Sequence, residues 1–128
     1  MPASARRRVL VIDDEETIRE LLTEFLGLRG YEVRQAATAV AGLAEARERP
    51  PDVVLLDLHL PGTVSGVDAL RALAQTTRVI VVSGTPDAEL ARTTLQLGAF
   101  DYITKPFNLG RVADLVGAAI LQDGGAAS

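Results

Sequence analysis

Short apolar runs rich in valine and isoleucine recur along the chain and alternate with segments that have helical spacing. The three clearest runs are residues 9–12, 53–56 and 79–82. Runs of this kind, without polar interruptions, indicate strands that are buried on both faces, as in a parallel sheet covered by helices. Two weaker runs, residues 31–36 and 100–103, each follow a glycine of the type that ends helices, which gives five predicted strands.

The segments between the runs predict five helices. In the first of them, apolar residues at i, i+3, i+4 and i+7 form a stripe that faces the sheet. The predicted bounds are residues 16–29, 39–49 and 67–73 for the first three helices, with the fourth starting near 85 and the fifth near 109. Thr85 is expected to cap the fourth helix, with Pro86 in its first position, and Asn108 to cap the fifth. Consecutive βα units imply an α/β fold with an open, five-stranded parallel sheet, helices on both faces and right-handed crossovers.

The length and composition suit a single domain. We expect the domain to cover residues 1–121 of the 128, with a flexible tail or the start of a linker at 122–128. The net charge of −4, with one basic cluster at residues 6–8, disfavours direct nucleic-acid binding. No apolar stretch approaches the about 20 residues that cross a bilayer, and no secretory signal is evident, so we expect no membrane association and a cytoplasmic location. Without cysteine and with one histidine, thiolate and multi-histidine metal sites are excluded.

Polar residues follow the predicted strands where each strand ends. Asp13, Asp14, Glu15 and Glu16 follow the first strand, Asp57 the third, Ser83 the fourth, and Lys105, the only lysine of the chain, the fifth. Ligands of open parallel sheets bind beyond the carboxyl ends of the strands. We therefore expect these side chains to line one pocket at that edge of the sheet.

Carboxylates gathered in this way need a cation. Two carboxylates ~4 Å apart repel by about 4 kcal/mol at an effective dielectric constant of about 20. Asp13, Asp14 and Asp57 carry −3 and Lys105 adds +1, so a divalent ion would bring the sum to zero. Because the available ligands are oxygens, the expected ion is Mg²⁺ or Mn²⁺. Taken singly, each residue also suits an ordinary structural role, as a helix N-terminal charge, a turn residue or a solvated lysine.

Four parts of the sequence together resemble the receiver domain of two-component response regulators. The matching segments are VLVIDDE at 9–15, PDVVLLD at 51–57 with LPG at 60–62, VIVVSG at 79–84 and GAFDYITKPF at 98–107. They occur in the family's order and spacing, and the resemblance covers essentially the whole chain. It implies a doubly wound (βα)5, flavodoxin-like receiver architecture.

Carried over position by position, the resemblance implies a phosphoacceptor and a metal site. Asp57 would accept a phosphoryl group from the phosphohistidine of a sensor histidine kinase or phosphotransfer protein. Asp13 and Asp14 would bind Mg²⁺ together with Asp57, and the main-chain carbonyl of His59 would complete the protein ligands. Lys105 would pair with the phosphoryl group, and the peptide bond after Lys105 would be cis.

The resemblance also implies a conformational switch rather than an enzyme. Ser83 would hydrogen-bond the phosphoryl group and move toward it, while Tyr102 would turn inward behind it. The surface expected to change comprises the fourth helix, the fifth strand and the fifth helix, where family members commonly form homodimers or dock partners. The domain would then control a partner or an output domain.

Several features depart from the family pattern. The loop at 62–66 is one residue longer than usual, and His59 is uncommon at its position.

Two other functions stay open. A haloacid-dehalogenase-like phosphohydrolase would use Asp13 as its nucleophile, although Glu15 stands where that signature needs a second aspartate. A pseudo-receiver would use the same fold only to bind a protein. Phosphorylation of Asp57 in the presence of Mg²⁺ separates the receiver from both alternatives.

Overall fold

A computed structural model describes residues 6–84 and 88–127, with side chains through residue 121. Strands and helices alternate along the chain, which confirms the predicted α/β organisation. The elements are β1 (Arg8–Ile12), α1 (Glu16–Leu28), β2 (Glu32–Ala36), α2 (Ala39–Glu48), β3 (Val53–Asp57), α3 (Gly66–Ala74), β4 (Arg78–Ser83), α4 (Ala88–Gln96), β5 (Asp101–Thr104) and α5 (Leu109–Ala127). The observed strand bounds lie within one residue of the predicted ones.

The strands form one parallel sheet in the order β2-β1-β3-β4-β5. After β2 the chain crosses to the other side of β1, so β1 and β3 are neighbours on either side of the point where strand order reverses. Ile12 of β1 pairs with Leu56 of β3, and Asp57 pairs with Val82 of β4. The carboxyl ends of the central strands therefore lie side by side, at the position where such sheets bind ligands.

Alternate residues of each central strand pack on opposite faces of the sheet, because successive side chains of a strand point to opposite sides. Val9 and Val11 belong to a core cluster covered by α1 and α5. Leu10 and Ile12 belong to a second cluster covered by α2 and α3. Burial on both faces explains the uninterrupted apolar runs in the sequence. In the part of the chain that the structure describes, no helix combines the length and apolar character of a membrane span.

Side chains cap several helices. Asn108 Oδ1 accepts a hydrogen bond from the main-chain N–H of Arg111 at 3.2 Å, which confirms the predicted cap of α5. The predicted cap of α4, Thr85 followed by Pro86, lies outside the described residues. The described backbone of α5 is helical through Ala127, beyond the predicted domain boundary, and the division into domain and tail stays a prediction.

The first residue of α3 is a glycine that packs closely against the loop following β3. Gly66 begins α3 directly after Ser65, whose side chain caps the helix, and it is buried against the main chain of Leu58. A Cβ atom on Gly66 would lie 2.2 Å from the Leu58 carbonyl oxygen, so a side chain fits only if backbone moves. Gly62 in the same loop has a φ of +115°, a conformation that glycine adopts readily. The loop is thus anchored one residue after Asp57.

Candidate functional site

Four strand ends bring polar side chains to one edge of the sheet. Asp57 and Ser83 are the last residues of β3 and β4, while Asp13 and Lys105 directly follow β1 and β5. Asp13, Asp57 and Ser83 are buried, with exposed fractions of 2%, 4% and 0%. A buried carboxylate is costly unless it has a charged or hydrogen-bonding partner. The partners of these two aspartates therefore decide what this edge of the sheet can do.

Lys105 supplies a cation to the buried aspartates. Its Nζ lies 2.9 Å from Asp13 Oδ2, 2.8 Å from Glu15 Oε1 and 3.3 Å from Asp57 Oδ2. The Lys105 side chain is 14% exposed, so its ammonium relies mainly on these oxygens in place of water. The structure thus confirms that Asp13, Asp57 and Lys105 share one pocket, as expected from their positions at strand ends.

Four carboxylates are close enough to hold one cation. Asp13, Asp14, Glu15 and Asp57 each place an oxygen within 4.8 Å of the others. Asp13 and Asp57 are buried, whereas Asp14 and Glu15 are exposed. An all-oxygen set that is open to solvent on one side fits a hard divalent ion that keeps several waters, as Mg²⁺ does. Glu15 is the member of this acidic cluster that the sequence analysis did not assign to the ion.

Burial and neighbouring charges shift two pKa values in the pocket. Loss of solvation is the largest effect on Asp13 and raises its pKa, although the hydrogen bonds from Lys105 and from the Glu15 main chain oppose this rise. Loss of solvation also disfavours the charged form of Lys105. The hydrogen bonds to Glu15 and Asp13 outweigh that effect and raise the pKa of Lys105 above its ordinary value. Lys105 is therefore a permanent positive charge at neutral pH.

Hydrogen bonds from the adjoining loops hold the two buried aspartates in place. The His59 N–H donates to Asp57 Oδ1 at 2.9 Å, and the Glu15 N–H donates to Asp13 Oδ1 at 2.9 Å. Arg19, in the first turn of α1, donates from Nη1 to the main-chain oxygen of Asp13 at 2.7 Å. Arg19 was not among the predicted site residues. A basic residue in the first turn of a helix that follows an acidic loop is the signal that could have indicated it.

The other predicted site residues belong to β4, β5 and the loop that follows β3. Ser83 is fully buried, and its main-chain oxygen accepts a hydrogen bond from the Lys105 N–H at 2.8 Å. Tyr102 is half-buried and packs on the core cluster covered by α2 and α3. His59 is exposed, and its side chain lies outside the core. The peptide bond between Lys105 and Pro106 is cis, as the resemblance implied.

The sequence of the chain is similar to a known protein family and to several characterised proteins. Residues 9–117 match the family model described as the response regulator receiver domain. The chain is 44% identical over 121 residues to the transcriptional regulatory protein KdpE of Mycobacterium tuberculosis, covering 93% of this chain and 53% of KdpE. It is 31% identical over 112 residues to sporulation initiation phosphotransferase F of Bacillus subtilis, covering 85% of this chain and 90% of that protein. It therefore spans about half the length of KdpE but most of the length of the sporulation protein.

Solved structures show the same architecture. A crystal structure of a CheY-like response regulator receiver domain protein from Methanospirillum hungatei superposes with a TM-score of 0.89 at 28% identity, covering 95% of this chain and 99% of that one. A receiver domain protein from Clostridium thermocellum superposes with a TM-score of 0.85 at 32% identity, covering 92% and 97%. The five-stranded parallel sheet and its pattern of helices are thus shared with solved receiver domains.

Proposed function

Because the chain belongs to the response regulator receiver domain family of two-component signalling, we propose that Asp57 is its phosphoacceptor and that phosphorylation switches its conformation. The observation that carries this proposal is the position of Asp57 at the end of β3, where its carboxylate is buried between a fixed N–H donor and an ammonium. Oδ1 accepts the His59 N–H, and Oδ2 faces Lys105. One oxygen is thereby oriented and the other faces the positive charge.

In the proposed reaction, Asp57 Oδ2 attacks the phosphorus of a phosphohistidine. The new P–O bond forms as the P–N bond breaks, and the histidine nitrogen leaves with the electron pair of that bond. The Lys105 ammonium, 3.3 Å from Oδ2, stabilises the negative charge of the transferring phosphoryl oxygens. The protein thus contributes mainly orientation and electrostatic stabilisation.

A divalent cation fits the acidic cluster described above. Asp13, Asp14 and Asp57 of that cluster would hold it, together with the main-chain carbonyl of His59 that the family resemblance implies. When bound, Mg²⁺ or Mn²⁺ supplies positive charge to the phosphoryl oxygens. The chain's own acidic groups support this assignment, because their mutual repulsion is relieved by a cation of higher charge than Lys105 alone provides.

Receiver domains interact with histidine kinases or phosphotransfer proteins, and we propose a donor of this kind for this chain. Ser83 and Tyr102 are the proposed switch residues, since Ser83 is buried at the end of β4 and Tyr102 lies on the neighbouring strand. The face formed by α4, β5 and α5 is the proposed surface for a homodimer or a partner. Control of an output domain and the predicted cytoplasmic location are parts of the same proposal.

Acetyl phosphate in the presence of Mg²⁺ tests the phosphoacceptor. Intact-protein mass spectrometry should show the addition of one phosphoryl group to the wild type and none to Asp57→Asn. Asp114→Asn is a matched control, because Asp114 is an exposed aspartate on α5 and should leave phosphorylation unchanged. Phosphorylation of Asp57→Asn at the wild-type rate would refute the assignment, and steady hydrolysis of a phosphomonoester would indicate a phosphohydrolase instead.

A further inference from the structure

The three acidic partners of Lys105 are not equivalent. The side chains of Asp13 and Asp57 are 3% and 5% exposed, whereas that of Glu15 is 55% exposed. Glu15 also makes the shortest of the three contacts, at 2.8 Å from Lys105 Nζ. Glu15 is therefore the one of the three partners that lies on the solvent side of the ammonium.

The side chain of Glu15 does not cap the helix that it precedes. Glu15 occupies the N-cap position of α1, where Ser, Thr, Asp and Asn are preferred, and its side chain forms no capping hydrogen bond. Its main-chain N–H instead donates to Asp13 Oδ1 while its carboxylate reaches Lys105. The observed use of this side chain is thus the contact with Lys105, 90 positions away along the chain.

A divalent cation in the acidic cluster would change the surroundings of Lys105. Asp13 and Asp57 would then share their charge between the cation and the ammonium, and the two positive charges would repel each other. Glu15 is the one partner of Lys105 that the proposed function does not assign to the cation or to the phosphoryl group. Its carboxylate can therefore keep the ammonium in place while the cation occupies the buried aspartates.

We propose that Glu15 is a positioning residue that holds the Lys105 ammonium at the entrance of the pocket when a divalent cation is bound, ready to meet the incoming phosphoryl group. This inference rests on the proposed function, because it assumes that Asp57 is phosphorylated in a cation-dependent reaction. It assigns to Glu15 a role that acts through Lys105 rather than on the reacting atoms.

The composition of the chain allows a direct test. Lys105 is the only lysine, so isotope labelling with lysine produces a single side-chain ammonium signal in an NMR spectrum. The matched variants are Glu15→Gln and Glu16→Gln, which remove the same charge from adjacent exposed residues. Among the described residues, Glu16 forms no ion pair with Lys105. Both variants and the wild type are titrated with Mg²⁺ alone, and the hydrogen exchange of the Lys105 ammonium is followed.

In Mg²⁺-loaded protein, Glu15→Gln should accelerate exchange of the Lys105 ammonium relative to the wild type, whereas Glu16→Gln should not. Phosphorylation by acetyl phosphate should be about two- to fivefold slower in Glu15→Gln, the range expected for an ion pair with one exposed partner. Equal exchange in both variants with Mg²⁺ bound would overturn the role of Glu15. A wild type that binds Mg²⁺ but is never phosphorylated would refute the proposed function instead, so the two failures are distinguishable.

Discussion

Gly66→Ala places a methyl group where the start of α3 meets the loop that follows Asp57. The new Cβ would lie 2.2 Å from the carbonyl oxygen and 2.5 Å from the Cα of Leu58, both of which are main-chain atoms. Close carbon–oxygen contacts in proteins lie at about 3.3 Å or more, so α3 or the loop must retreat by about 1 Å. Overpacking of this kind costs about 1–3 kcal/mol. We therefore expect Gly66→Ala to lower the free energy of unfolding by that amount.

Gly27→Ala is the matched control for this change. Gly27 is exposed in α1, and a Cβ there would meet nothing within 4 Å. Alanine is favoured over glycine inside a helix by about 0.5–1 kcal/mol, so this variant should be more stable than the wild type. Urea unfolding followed by circular dichroism suits the comparison, because the chain has no tryptophan. The two variants should differ by about 1.5–4 kcal/mol.

The same substitution has a functional consequence. Leu58 directly follows Asp57, so a retreat of its backbone should disturb the proposed phosphoacceptor and slow phosphorylation by acetyl phosphate in Gly66→Ala. Gly27→Ala should be phosphorylated at the wild-type rate. If the two variants had the same free energy of unfolding and the same slope against urea concentration, the close contact of α3 with the Leu58 main chain would be refuted.

Two further predictions concern the charges of the site. Mg²⁺ at ten times its dissociation constant should add about 1.4 kcal/mol to the free energy of unfolding. Asp14→Asn should remove most of that gain in urea titrations, and an undiminished gain would exclude Asp14 from the ion site. With the ion chelated, Lys105→Met should lower the free energy of unfolding by about 1–3 kcal/mol, because Asp13 and Asp57 lose a buried partner. Folding raises the pKa of Lys105 above the ordinary lysine value of 10.5. The stability that Lys105 contributes is therefore fully present below pH 10.5 and is lost as the pH rises from there through the raised pKa of the folded state. The difference between wild type and Lys105→Met should accordingly shrink in alkaline solution, and a constant difference would contradict these ion pairs.

Much of the fold could be predicted from local patterns in the sequence. The apolar runs at 9–12, 53–56 and 79–82 indicated strands buried on both faces, and the structure has helices on both sides of these strands. The polar residues that follow the runs then indicated where the site lies, because the carboxyl ends of all strands in a parallel sheet lie at the same edge. The ion pairs of Lys105 with Asp13 and Asp57 agree with this prediction.

Contacts between residues that are distant in the sequence could be identified only from the tertiary structure. Periodicity describes each segment on its own, whereas the contact of Glu15 with Lys105 depends on how β1 and β5 are placed in the sheet. The same holds for Gly66, whose need to be glycine comes from the main chain of Leu58 and not from its own backbone angles. The sequence by itself therefore determined the elements, the sheet edge that carries the chemistry and the residue types there. The tertiary structure decided which acidic side chains contact the Lys105 ammonium, because these contacts depend on distances between loops that no local pattern encodes.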